Sequence, residues 1–190
     1  MSPVSPRLPN MSLGENPDRR QASLRAMAHP LRLRMLSLLT GASLTAADIA
    51  RELGLTHANA SYHLRNLLAA GLIVQAGEEH IRGGVAKRYR YDAERERDCE
   101  TKLSEHGADS QRALFAVVAN ELIRRTAVAD WSVGGSMTDA ELWVDPDVWR
   151  EIRDRISQAS RDLHDAARPP HTPGTIRTGT TIAMFRMDES

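Results

Sequence analysis

The stretch from Thr45 to Gly71, TAADIARELGLTHANASYHLRNLLAAG, constrains the fold more than any other part of the chain. Thr45 stands as an N-cap with Asp48 three residues on, a capping-box-like pair that satisfies orphan backbone donors at a helix start. Gly54 ends that helix. Thr56 is a second cap, and after it Ala60, Leu64, Leu67 and Leu68 fall on one face at helical spacing until Gly71 closes the helix in the left-handed position. The opposite side and its shoulders carry His57, Ala58, Asn59, Ser61, Tyr62 and Arg65. Short or planar polar groups gathered at the start of a helix suit base edges and phosphates when such a helix enters a major groove. A helical hairpin with a solvated polar face has the same spacing, so the flanking sequence has to decide.

Before the pair, Asn16-Pro17 and then Arg19 to Ala28 read as a helix with Leu24 and Met27 on one side. His29-Pro30 interrupts it and starts another, LRLRMLSLLTG. Leu31, Met35, Leu38 and Leu39 are predicted inward there, Arg32 and Arg34 outward, with a stop at Gly41. After the pair, LIVQA at 72–76 has the length and β-branched content of a strand, and GEEHIRGGVA supplies glycines for a charged turn. KRYRY at 87–91 alternates Tyr89 and Tyr91 against Arg88 and Arg90, the period of a half-buried strand. The pattern predicts a β-hairpin directly after the second helix, with Arg82, Lys87 and Arg88 giving it positive charge that can reach a flanking phosphate backbone or minor groove.

The charge distribution agrees. The 25 Lys+Arg and 25 Asp+Glu cancel overall, but residues 19–91 hold 11 basic against 4 acidic (+7) and residues 92–190 hold 13 against 19 (−6). Attraction to phosphates supplies much of nucleic-acid affinity, so the basic half is the candidate for a polyanion and the acidic half has another task.

LRAMAHPLRLRMLSLL, DIARELGLTHANASYHLRNLLAAGLI and the hairpin ending in KRYRY resemble the ArsR-type winged-helix transcription regulators of bacteria over residues 19–92. The most specific part is Ser61-Tyr62-His63-Leu64 followed by Leu67 and Ala70-Gly71-Leu72-Ile73, which is similar to the family's S-x-H-L-x-x-L-x-x-A-G-L-[IV] core. The resemblance implies a homodimer that binds operator DNA by the second helix and the wing, tuned or released by an effector. The DNA-binding set it implies is Thr56, His57, Ala58, Asn59, Ser61, Tyr62, Arg65, Arg82, Lys87 and Arg88. Two departures count against a metal sensor. The helix before the recognition helix carries no cysteine pair, and Asp162-Leu163-His164, which fits half of a C-terminal Asp-x-His site, is followed by Thr175 where a further His is expected. Cys99 and His106 supply two ligands where zinc needs three or four, so no metal and no cofactor is expected.

The remaining sequence sets the organisation. Residues 1–15 read as a flexible tail, 16–92 as a winged helix-turn-helix domain, 93–108 as a charged linker or helix, and 109–190 as a C-terminal dimerisation or effector region. The fold class expected is mainly α with a β wing (α+β). From Asp109 to about Asp130 the apolar residues Leu114, Phe115, Val117, Val118, Leu122 and Ile123 cover more than one helical face, which suits packing against a second copy, the alternative being a core helix within the chain. ELWV and TTIAMFRM read as strands flanking a helix that starts at Asp145-Pro146, a small helical/αβ layer paired within the chain or with a partner chain. All three tryptophans, Trp131, Trp143 and Trp149, fall here and either line a pocket for a small-molecule effector or serve as plain core. No apolar run approaches the roughly 20 residues that span a bilayer, and a single cysteine fits a reducing compartment, so the expected location is cytoplasmic, away from membranes. There is no phosphate-binding glycine loop, no HExxH and no GxSxG, so an enzyme is not expected. The competing expectation is a winged-helix module that docks an acidic protein.

Overall fold

A computed structural model describes residues 26–81, 83–92 and 108–188. Helix α1 runs Pro30–Gly41, a two-residue strand β1 spans Leu44–Thr45, and helices α2 (Ala46–Leu53) and α3 (His57–Ala69) follow. Strands β2 (Ile73–Ile81) and β3 (Gly84–Tyr91) form the hairpin, and helices α4 (Ala108–Thr126) and α5 (Pro146–Ala166) make up most of the rest, with a 3-10 turn at Trp131–Val133. The sheet is antiparallel throughout, in the order β1-β3-β2. The expected class, helices with a small β wing and further C-terminal helix, is the observed one.

Local chemistry sets the helix boundaries. His29 caps α1 through its ring, with Nδ1 accepting the Leu31 N–H at 3.2 Å and Pro30 in the first turn, where its missing donor costs nothing. Thr45 and Asp48 form a full capping box: the Asp48 N–H donates to Thr45 Oγ1 at 3.2 Å and the Thr45 N–H donates back to Asp48 Oδ2 at 3.0 Å. Burial pushes the Asp48 carboxyl up, but the hydrogen bonds from Thr45 and the Arg51 guanidinium outweigh it and hold the pKa below the usual range. Gly54 takes φ 65° at the end of α2, and Gly71 takes φ 68° after α3, where its N–H meets the Leu68 carbonyl and that of Leu72 meets Leu67.

The core joins these elements into one body. Met35 and Leu39 of α1, Ile49 of α2, Leu64 and Leu67 of α3 and Ile73 of β2 are its largest fully buried side chains, with Tyr89 and Tyr91 of the wing packed on its margin. Each contributes about 1.5–3 kcal/mol of burial free energy, so α3 is held by its inner face and its outer face is fixed by default. Two inward positions differ from the helical-wheel expectation. Leu68 is 38% exposed, and on α1 Leu36 is buried while Leu38 is only partly so; His63, expected to be partly buried, is 7% exposed. Helix α1 touches α3, β3, α4 and α5, so no single stripe of it is the inner one. For the same reason Arg32 and Arg34, expected outward, are half-buried.

The wing is longer than its sequence suggests. GEEHI and GVA, read as turn, are strand: the ladder runs from Ile73 opposite Tyr91 to Ile81 opposite Gly84, with an irregularity between Gln75 and Gly77. Gly77, at φ 147°, provides the backbone freedom there.

The C-terminal part departs further from expectation. ELWV (141–144) and 180–187 are not strands, because neither finds a ladder partner among the described residues. Helix α5 begins as its sequence requires, with Asp145 Oδ1 accepting the Asp147 N–H at 2.8 Å and Pro146 behind it. Its far end docks on the basic domain: a side chain at Gly41 would meet the Ala167 Cβ at 3.0 Å, and His171 Nε2 lies 3.1 Å from Glu52 Oε2. The 1–15 tail and residues 93–107, with Cys99, His106 and most of the expected charged linker, lie outside the described residues, as do 16–25.

Candidate nucleic-acid interface

Helix α3 presents its first two turns outward. Thr56, His57, Ala58, Asn59, Tyr62 and Arg65 are exposed and Ser61 is half-buried, while Ala60, His63, Leu64 and Leu67 face the core. The split follows from the sequence, since buried and exposed positions alternate at helical spacing. Thr56 Oγ1 accepts the Asn59 N–H at 3.2 Å, which leaves the N–H groups of His57 and Ala58 without intrahelical partners at the helix start. No carboxylate sits in the first turn of α3, whereas α2 has Asp48 there. The positive end of the α3 dipole is therefore uncompensated and suited to an anion.

His63 ties this helix to its base. The residue is 7% exposed, and its ring packs at a tilt against that of His29 with centroids 4.9 Å apart and meets the Tyr62 ring edge-on at 5.1 Å. Burial lowers the pKa of His63, and the neighbouring His29 and Arg32 lower it further; burial and then Arg32 lower that of His29. Cap geometry agrees, because His29 Nδ1 needs its lone pair to accept from Leu31. Folding therefore favours both rings neutral. The unfolded chain binds these protons more tightly than the folded one, so the stabilisation is complete above the ordinary histidine pKa of about 6.5 and is lost as pH falls through it toward the depressed folded values. Urea denaturation midpoints should drop between about pH 7 and pH 5, and His63→Gln should flatten that dependence. An unchanged slope in the variant would remove His63 from the account.

On the wing, Lys87 is exposed, opposite Glu78 in the ladder. Arg88 is occupied within the chain: one guanidinium nitrogen donates to Glu79 Oε2 at 2.5 Å and the other to the Ser43 carbonyl, which ties β3 to the turn before β1. Sequence reasoning gave Arg88 a purely outward task and missed this tie, because Ser43 lies 45 residues away and has no local signal. Arg90, not singled out from the sequence, is exposed beside it. Arg82 lies outside the described residues.

The three tryptophans do not assemble a site in the single chain. Trp131 and Trp143 are 65% and 92% exposed and Trp149 is half-buried, so none is enclosed as an effector pocket requires. A cleft of about 300 Å³ lies instead where the end of α1, Arg90 and Tyr91 of β3, and His164 and Asp165 of α5 meet, and no tryptophan lines it. Among the described residues no group of three or more His, Cys, Asp or Glu is placed to hold a metal ion. No described helix is long and apolar enough to cross a membrane.

Comparison with known proteins addresses the same segment. Residues 27–76 match the model of a helix-turn-helix domain family. No curated protein matches the chain. Among solved structures it is similar to a possible transcriptional regulator for arsenical resistance, at 28% identity over 57% of this chain and 97% of that one, TM-score 0.33. A homodimeric winged helix-turn-helix DNA-binding domain from Mycobacterium bovis, described as a possible ArsR-family transcriptional regulator, is 24% identical over 60% and 94%, TM-score 0.34. The cadmium metal-sensor CMTR from Mycobacterium tuberculosis is 25% identical over 65% and 98%, TM-score 0.31. TM-scores this low add nothing to the geometry already described. The capped helices α2 and α3 and the left-handed glycine between them fall within residues 27–76, the segment that matches a helix-turn-helix domain, and the β2–β3 hairpin follows it as a wing.

Proposed function

We propose that the chain is a sequence-specific, DNA-binding transcription regulator of the ArsR type, working as a homodimer on an operator in the cytoplasm and tuned by a small-molecule effector. The observation that carries the reading is the outward face of α3, where Thr56, His57, Ala58, Asn59, Tyr62 and Arg65 stand clear of the core at a helix start with no carboxylate in its first turn. The +7 charge of residues 19–91 supports the same partner. In this mechanism the free N–H groups of the first turn and Thr56 seat the helix on a phosphate, and His57, Asn59, Ser61, Tyr62 and Arg65 meet base edges. Arg82 and Lys87 hold the flanking backbone, and Arg88 braces the wing through Ser43 while adding charge to it. A dimer supplies the second recognition helix that a symmetric operator needs. The reading is of a binding protein, with no reaction assigned.

Selection from randomised duplexes with purified protein, at near-physiological salt, tests it. Enrichment of a two-fold symmetric sequence is the expected result; absence of enrichment would leave the acidic-protein module as the better reading. On a recovered site, Arg82→Ala combined with Lys87→Ala should lower the slope of log K against log salt by about 2, roughly one unit per lost phosphate contact. An unchanged slope would take the wing out of the interface.

A further inference from the structure

The C-terminal part of this chain exposes what a folded domain buries. Among the described residues 21 large apolar side chains are exposed, and 17 of them lie between Phe115 and Met187. Leu114, just before that span, is the one buried apolar side chain among the described residues from 109 to 188. Helix α5 runs 21 residues with no buried residue at all, although Val148, Trp149, Ile152, Ile156 and Leu163 recur at helical spacing along it. An amphipathic helix draws most of its stability from the face it buries, so this one lacks its partner.

The extended segments show the same deficit in their hydrogen bonds. Residues 135–144 and 176–187 make no backbone–backbone hydrogen bond within the described residues. Each is nevertheless positioned. Phe185 packs edge-on to Phe115 of α4 at 5.8 Å, the Thr180 carbonyl accepts from Arg125 at 3.2 Å, and the ring of Trp131 lies beside Gly135. Two positioned, unpaired segments with the apolar alternation of strands offer their free backbone groups to an incoming edge.

We propose that residues 108–188 are one half of a two-chain domain, in which segments 135–144 and 176–187 become strands by pairing with a second copy of this chain, and the exposed face of α5 and Trp143 is covered in the same contact. This rests on the homodimer of the proposed function and adds the surface that makes it. Area selects the occupant first: the exposed portions of those 17 side chains amount to roughly 2,000 Å² per chain, the size and apolar character of obligate homodimer interfaces rather than of transient contacts. Charge selects it next. Residues 109–188 carry ten arginines against twelve carboxylates, a net charge of only −2, and on α5 Arg150 pairs with Asp147, Arg153 with Asp154 and Arg155 with Glu151, so the surface offers little net charge to a polyanion or a strongly charged protein. Such a balanced, self-complementary surface suits an isologous contact about a two-fold axis.

The test uses the full chain. Analytical ultracentrifugation should give a dimer at micromolar concentration, and hydrogen exchange read by mass spectrometry should show amides of 141–144 and 181–187 protected, with protection falling on dilution. Trp143→Asp, at a side chain 92% exposed in the single chain, should weaken the dimer at least about 30-fold while leaving exchange in α1 and α3 unchanged. A monomeric wild type overturns the proposal and leaves the apolar face to a different protein; a dimer whose two segments exchange at free-peptide rates overturns it too. Should the variant fail to fold, wild-type exchange still decides. Duplex selection run alongside separates the readings: a dimer with protected segments and no DNA preference sinks the regulator and keeps this interface, and a monomer that still selects a half-site does the reverse.

Discussion

Replacing Leu67 by alanine will destabilise the winged domain by about 2–5 kcal/mol, the cost of a buried leucine deletion in a core that cannot fully collapse. Leu67 is 0% exposed and its neighbours Ala60 and Leu64 on the same face are 0% and 1% exposed, so the removed volume is walled by side chains already in contact. A typical domain has only about 5–15 kcal/mol of total stability, which makes this one substitution a large part of the whole. The helix concerned is the one whose opposite face carries Asn59, Tyr62 and Arg65, so the cavity also loosens the surface proposed to meet DNA. Chemical denaturation followed by circular dichroism measures the loss. Leu68→Ala, one position on and 38% exposed, should cost well under half as much. Equal costs at 67 and 68 would mean that α3 is rotated from the orientation described.

The contrast between those two leucines shows how far local sequence carries. Thr45, Asp48, Gly54, Thr56 and Gly71 could be assigned from the sequence because caps and left-handed glycines act within four residues of themselves. The face of α3 is legible to within one position: the wheel puts Leu68 inside where it is 38% exposed, and His63, expected to be partly buried, is buried more fully by its contact with His29, a residue outside the helix. Longer-range facts left less trace. The two residues of β1 are a strand only because Tyr89 and Arg88 lie beside them. The wing was read short because its glycines are turn signals taken singly, whereas the ladder from Ile73 to Ile81 incorporates Gly77 at an irregularity. Arg88 was legible as a charge and not as a brace to Ser43. ELWV and TTIAMFRM have strand patterns and no strand in the single chain, since a pattern specifies a face and not the neighbour that completes it. Charge asymmetry, by contrast, needed no structure, because it is a sum over residues wherever they stand.

On the proposed reading, Asn59→Ala combined with Arg65→Ala should lower affinity for the selected duplex by about 10- to 1,000-fold, since each well-placed base contact carries about 1–3 kcal/mol of discrimination and neighbouring contacts do not add fully. Both side chains stand on the exposed side of α3 about 1.7 turns apart, and neither packs in the core, so denaturation midpoints should stay close to wild type. Competition binding against the selected site and a scrambled duplex separates two contributions. Loss confined to the selected site marks base readout, whereas equal loss on both marks phosphate contact alone. The Asn59 side chain is uncharged and its backbone N–H is already engaged by Thr56, so its share of the effect should fall on specificity; Arg65, cationic, should also affect the salt dependence. Were the double variant to bind both duplexes as wild type does, α3 would not be the reading helix, and the basic face of the winged domain would have to meet a different partner.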